Sequence, residues 1–219
     1  MSINKLTIVP VFFLFCACSL SKKEPESSDP ALKKRLEEFV DLSNKMAYET
    51  RLDYTYPPYF NVISRDELLR QWKKLTDDGK FKLDTMKIDS LYPVFTVGNG
   101  RYAKIACTMQ IAWTSDIFKD IHIGNRVNDT DSNTVHSIGT TKYPPEATLM
   151  LTLAGEKFGK ENVSIDAAKG SLIMLQKAEI LAVKDQYTKD WCFVDLEDAG
   201  SGARGLFSKE VFDKYDSYK

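Results

Sequence analysis

The sequence predicts an α+β fold in which helices pack on a curved, mostly antiparallel sheet. Three observations predict it. Apolar residues recur at helical spacing between residues 30 and 76. The period drops to two between 83 and 114. A third helical stretch near 145–158 is followed by four short runs with strand character. Helices and strands in separate blocks favour α+β over a strictly alternating α/β plan.

Composition bounds the function classes. The chain has 219 residues, with 43% hydrophobic and 28% charged, which is ordinary for a globular protein and excludes a disordered chain. Thirty Lys and Arg face 31 Asp and Glu, for a net charge of -1. That balance argues against a nucleic-acid binder, which carries a basic excess. Two histidines leave little material for a His-based metal site or catalytic triad. No run of 18 apolar residues occurs, so no permanent membrane-spanning helix is expected.

The first residues read as an address. Lys5 precedes the apolar stretch Leu6–Ala17, LTIVPVFFLFCA, too short to span a bilayer and of signal-sequence length. Phe15-Cys16-Ala17-Cys18 resembles the lipobox of bacterial lipoproteins, with Phe15 where Leu is usual. The resemblance implies residues 1–17 as signal peptide, cleavage before Cys18, and a lipid on Cys18. It implies attachment to a membrane of the bacterial cell envelope, with the outer membrane favoured because Ser19, not Asp, follows. An ordinary secretory signal is the alternative. Residues 18–29 are rich in Ser, Pro and mixed charge, a flexible tether reaching about 35 Å when extended.

The domain, residues 30–219, begins with a helix. Asp29 is an N-cap and Pro30 fits the first helical position. Leu32, Leu36, Phe39, Val40, Ser43, Met46 and Ala47 share one face, and the helix fades near Arg51. Pro57-Pro58 predict extended backbone after it. Tyr54, Tyr56, Tyr59 and Phe60 then serve either as a pocket wall or as pins holding the loop to the core. Ser64-Arg-Asp-Glu67 is a capping box, with Ile63 and Leu68 as a hydrophobic staple. Leu68, Leu69, Trp72 and Leu75 form the stripe of this second helix, and Gly79 ends it.

Residues 83–97 predict a strand with a bulge near Asp89–Leu91 and an edge position at Pro93. Gly98-Asn99-Gly100 predicts a hairpin turn. Ala103, Ile105, Cys107, Met109, Ile111 and Trp113 then face the core, with polar or small residues on the other face. Residues 115–143 read as a long polar loop insertion. Asp129, Asp131 and Asn133 resemble the start of a calcium loop, but Thr134 and Thr140 replace the required Gly and Glu. His122 and His136 read as surface residues of that loop.

Pro144-Pro145 start a helix carrying Ala147, Met150, Leu151, Ala154 and Phe158, stopped at Gly159. Strands are predicted near 162–166, 171–176, 179–185 and 190–197, the last two central because they are apolar on both faces. Gly200, Gly202 and Gly205 predict a loose connection, and a final helix starts at Ser208 with Phe207 and Phe212 as a staple. Cys107 and Cys192 lie on strands without ligand spacing, as small buried residues or as a disulfide pair.

Two helices, two long strands, a helix and four strands resemble the nuclear transport factor 2-like (SnoaL-like) fold, a cone-shaped roll. The runs TYPPYFNVISRDELLRQWKKL, EKFGKENVSID, AEILAVKDQYTKDWCFVDLED and LFSKEVFDKY resemble members of that group from Bacteroidota. The resemblance covers about residues 31–216 and implies a cavity between helices and sheet. Tyr48, Asp53, Tyr54, Tyr56, Trp72, Cys107 and Trp191 are the candidate lining residues. Relatives include isomerases, dehydratases, cyclases and binding modules, so the fold does not fix the function. No phosphate loop, GxSxG, HExxH or dinucleotide fingerprint is present, and no cofactor or metal is implied. Asp195 and Glu197 are either acid–base candidates or a solvated strand end. The expected function is a lipid-anchored, non-enzymatic domain binding a small apolar ligand or an envelope protein. The alternatives are a small-molecule isomerase, dehydratase or cyclase, and a structural module that forms homodimers through the polar sheet face.

Overall fold

The computed structural model describes residues 29–76, 79–118, 143–196 and 200–218. Within them the architecture is α+β. Helices α1 (Pro30–Asn44), α2 (Tyr48–Arg51), α3 (Arg65–Thr76), α4 (Pro145–Phe158), α5 (Gly200–Arg204) and α6 (Lys209–Tyr215) surround one open sheet. Its strands are β1 (Phe81–Leu91), β2 (Phe95–Val97), β3 (Gly100–Thr114), β4 (Val163–Asp166), β5 (Ser171–Lys184) and β6 (Cys192–Asp195). The order is β1-β3-β5-β4, with β2 paired to β3 and β6 to β5, every ladder antiparallel. No helix among the described residues is long and apolar enough to cross a membrane.

Local chemistry explains the starts of α1, α3 and α6. The Asp29 carboxylate accepts from the Leu32 N–H at 2.8 Å and pairs with Arg101. Ser64 accepts from the Glu67 N–H at 3.2 Å, but Glu67 turns outward to Arg70 and Gln71, so only half of the capping box forms. Phe207 and Phe212 meet edge to face at 6.2 Å, as a staple should.

Several sequence expectations change. Helix α1 stops at Asn44 because Met46 adopts φ +52, so Met46 and Ala47 leave its stripe and α2 is a separate turn. Pro57-Pro58 open a 3₁₀ turn, Pro57–Asn61, rather than an extended run, because the fixed proline φ suits a first helical turn. Tyr56, ahead of the prolines, does stay extended. The two strands expected at 171–176 and 179–185 are one strand, β5, held unbroken by its ladder with β3. β6 is apolar on both faces yet pairs with a single strand; its outer side meets Thr55 through a bridge at Phe193, and cores lie above and below it. Gly200–Arg204 is a helix rather than a loose connection, and Gly202 sits where a Cβ would lie 2.7 Å from a Val62 methyl. β1 is an edge strand as expected, with register shifts at Leu83/Thr85 and Ile88/Ser90.

The sheet has cores on both faces. On one, α1 presses Leu32, Leu36 and Phe39 onto Ala103, Ile105, Cys107, Ala178 and Ile180. On the other, α6 and Tyr56 cover Tyr102, Leu181, Val183 and Val194. The face expected to be polar is therefore buried at its β2 end. Lys104 lies inside that second core, where its ammonium reaches Glu179 at 2.8 Å and the Tyr218 carbonyl at 2.9 Å. A buried ammonium needs such partners. Cys107 and Cys192 belong to opposite faces and are not joined by a disulfide. Burial pushes the Cys192 thiol up to about 11, so it remains an uncharged thiol at neutral pH.

Candidate functional site

The α1-facing side of the sheet is only partly covered by that helix. Beyond Cys107 three rungs continue toward the other end of the strands. They are Met86–Met109–Gln176, Leu83–Ile111–Met174 and Phe81–Trp113–Leu172, each running across β1, β3 and β5. From Met109 to Trp113 this floor is about 14 Å long at ~3.4 Å per residue. One wall comes from α2 and α3 through Tyr48, Arg51, Trp72 and Thr76. The other comes from α4 through Met150, Leu153, Ala154, Lys157 and Phe158. Together they enclose a groove of about 510 Å³, within the range of small-molecule sites.

The lining is graded along its length. The Phe81 and Leu83 rungs are apolar, and Phe81 stacks on Trp113 at 5.6 Å. The polar lining groups are Arg51, Thr76, Lys82, Lys157, Gln176 and Asp195. Gln176 shares the face of Met174. Asp195 pairs with Ile180, so it points to that face as well. The Arg51 guanidinium lies 4.5 Å from the Trp72 ring centre and 5.0 Å from that of Phe39. Arg51, Trp72, Met109 and Asp195 also line a smaller chamber of about 50 Å³ reaching Phe39, Thr55, Tyr59 and Phe193. The groove and the chamber thus share Arg51, Trp72, Met109 and Asp195.

The expected lining residues divide. Tyr48 and Trp72 do line the groove, with ring centres 5.9 Å apart. Cys107 is buried beneath α1 and approaches the Ala178 carbonyl at 3.5 Å. Trp191 is fully buried in the same core. Tyr54 packs against Arg35, whose guanidinium is 3.5 Å from its ring centre, and donates to Glu38 at 3.1 Å. Tyr56 faces the opposite core and donates to Asp185 at 2.7 Å. Burial first, and then that bond, push its phenol far above the ordinary range. Asp53 lies on the surface, paired with Arg65 at 2.6 Å. These five are thus pins and surface groups rather than lining. The α2 break turns Tyr48 and Arg51 toward the groove but leaves the 3₁₀ turns that follow against the core.

Sequence reasoning missed Arg51, Gln176 and Met150 as site residues, and it named Met109, Ile111 and Trp113 only as core. The signal for the last three was present in the alternation of β3. Asp195 was singled out and lines both the groove and the small chamber. Glu197, His122, His136, the acidic run 129–133 and Cys18 lie outside the described residues. No cluster of three metal-ligating side chains occurs among the described residues. Searches of protein-family models, curated proteins and solved structures found no match to this chain.

Proposed function

We propose that this chain is a lipid-anchored protein of the bacterial cell envelope whose domain holds a small apolar molecule without transforming it. The observation that carries this reading is the groove of about 510 Å³, walled by α4 and by α2–α3 over an apolar floor. Aromatic and methionine side chains supply adaptable apolar contact there. The groove supports a nuclear transport factor 2-like cone, in which the space between helices and sheet is the working site. Cys18 is the proposed lipid attachment point, and the lipid would keep the domain at the membrane surface.

Gentle purification followed by native mass spectrometry and solvent extraction tests the binding role. An apolar molecule should co-purify, and Leu153→Trp, which fills the groove, should exclude it. Protein that is empty and fails to take up apolar probes would overturn the reading. Cys18→Ser should abolish membrane association, and unchanged membrane association would refute the anchor.

A second reading is an isomerase, dehydratase or cyclase, favoured by the carboxylate of Asp195 and the guanidinium of Arg51 lining the same groove. It requires Asp195 to move a proton on a bound substrate. Turnover that survives Asp195→Asn intact would eliminate it.

A further inference from the structure

Charge is unevenly spread over the groove lining, and the imbalance bears on what the groove holds. We infer that the bound molecule is an anionic amphiphile: a single apolar chain lying along α4, with a carboxylate or phosphate end at Lys157. The inference rests on the binding role proposed above and specifies its ligand.

The lining carries three cations, Arg51, Lys82 and Lys157, against one carboxylate, Asp195. Arg51 and Asp195 are each engaged within the protein. Lys82 reaches Asp84 at 3.4 Å. Lys157 differs. Its ammonium stands 5.1 Å from the ring centre of Phe158, itself a lining residue, and it pairs with no carboxylate among the described residues. Glu156 and Glu161, near it in sequence, are not part of the lining. An anionic end supplies the counter-charge that Lys157 lacks. An ammonium end would add a fourth positive charge to the same groove.

Helix geometry sets the direction of the chain. Along α4 the lining residues are Met150, Leu153, Ala154, Lys157 and Phe158. They are apolar at first and gain a charge only in the last turn. From Met150 to Lys157 the helix rises about 10 Å, at ~1.5 Å per residue. Asn162 donates to the Phe158 carbonyl at 2.8 Å, and the next residue, Val163, pairs with Met174. The last turn of α4 is thereby tied to the start of β4. Met150 packs in one cluster with Ile111, Trp113 and Leu172, so the earlier turns of α4 meet apolar floor. A chain laid along Met150 and Leu153 has apolar neighbours on both sides and brings its end to Lys157. The methionines adapt to such a chain by changing rotamer. A lysine in the last turn also suits the helix dipole. That effect acts on stability and is blind to the ligand, so head-group preference is the deciding readout.

The chain contains three tryptophans, and two of them, Trp72 and Trp113, line the groove while Trp191 is in the core. Intrinsic fluorescence therefore reports occupancy. Titrating the full chain with decanoate, decyl phosphate, decanol and decylamine varies the head at constant tail. Both anions should bind about five-fold more tightly than decanol, the upper range for an ion pair at an exposed site, and decylamine should bind most weakly. The tighter of the two anions names the ligand class. In about 1 M NaCl, where screening acts over ~3 Å, the anions should lose that advantage. Lys157→Gln should remove the preference and Lys157→Glu should turn it to decylamine. Lys82→Gln should leave most of it in place. Decanol or decylamine binding the wild-type chain as tightly as both anions would overturn the inference while leaving the binding role intact. An anion preference that survives both Lys157 variants would do the same. Failure of all four probes to bind would instead overturn the binding role itself.

Discussion

One face of one sheet is put to two uses. Near Ile105 and Cys107 it lies under α1, and side chains close-pack: the Phe39 and Phe193 rings are 4.7 Å apart and Leu32 is wholly buried. From Met109 to Trp113 the same strands, with the same alternation, floor a groove. The difference is one of cover rather than composition. A 15-residue helix rises about 22 Å, while a strand of similar length spans about 50 Å. Helix α1 ends at Asn44, and the turn at Met46 redirects the chain; beyond Met86 the floor passes to α4, which buries Leu172 and Met174, and to α2–α3, and the groove opens between those two walls.

The contrast can be broken by mutation. The largest effect is expected at Phe39, in the covered half. Phe39→Ala should cost ~3–5 kcal/mol in urea unfolding, because it removes a buried ring and leaves a cavity. A loss below about 1 kcal/mol would mean that the covered half is not the tightly packed one.

The core on the opposite face should respond through its polar anchor. Tyr56→Phe removes the donor to Asp185, a charge-assisted bond, and should cost ~1.5–3 kcal/mol. Tyr56 and Tyr215 also predict a pH dependence. Burial raises both phenols above the ordinary 10.0, so their contribution is complete below that pH. It is lost as pH rises toward the folded values, because the unfolded chain ionises first. Unfolding midpoints measured from pH 8 to 12 should therefore fall above about 10.

A smaller effect is expected where α1 begins. Asp29→Ala removes the cap and the Arg101 pair, at ~0.5–2 kcal/mol. Burial raises the Asp29 pKa, but the Leu32 N–H and Arg101 outweigh it, and the net value lies below the ordinary 3.8. Its contribution is thus present above that pH and lost as pH falls through the folded value. The wild-type and D29A curves should converge in strong acid.

The smallest stability change belongs to the groove. Leu153 is 51% exposed on α4. Leu153→Asn should shift stability by less than about 0.5 kcal/mol while weakening uptake of an apolar probe several-fold. Equal losses of stability in L153N and F39A would erase the distinction between the two halves.

Much of the fold is legible because its causes are local. The Asp29 cap, the Ser64 N-cap, the bulge near Asp89 and the inward set of β3 each follow from a few neighbouring residues. The site was legible only in part. Tyr48, Trp72 and Asp195 stand out by residue type, and all three line the groove. Cys107 and Trp191 attract notice for the same reason yet are buried under α1, because an apolar side chain reads alike in a core and in a pocket wall. Arg51 and Gln176 are ordinary surface residue types in sequence, and only folding brings them into the groove that Asp195 also lines.

The sequence by itself determined the main helices α1, α3, α4 and α6, the caps at Asp29 and Ser64, and which side chains of β3 point to one face, but not the split of 83–97 into β1 and β2. It did so because periodicity and capping act over one or two turns. The tertiary structure decided that 171–184 is a single strand, that the supposedly polar face is half buried under α6, and that α1 stops at the Met86 rung, leaving the Leu83 and Phe81 rungs to the groove walls. Those outcomes depend on helix and strand lengths in space and on contacts between residues 42 to 114 positions apart, from Asn44–Met86 through the β3–β5 ladder to Lys104–Tyr218. Neither quantity is written in any local window of the chain.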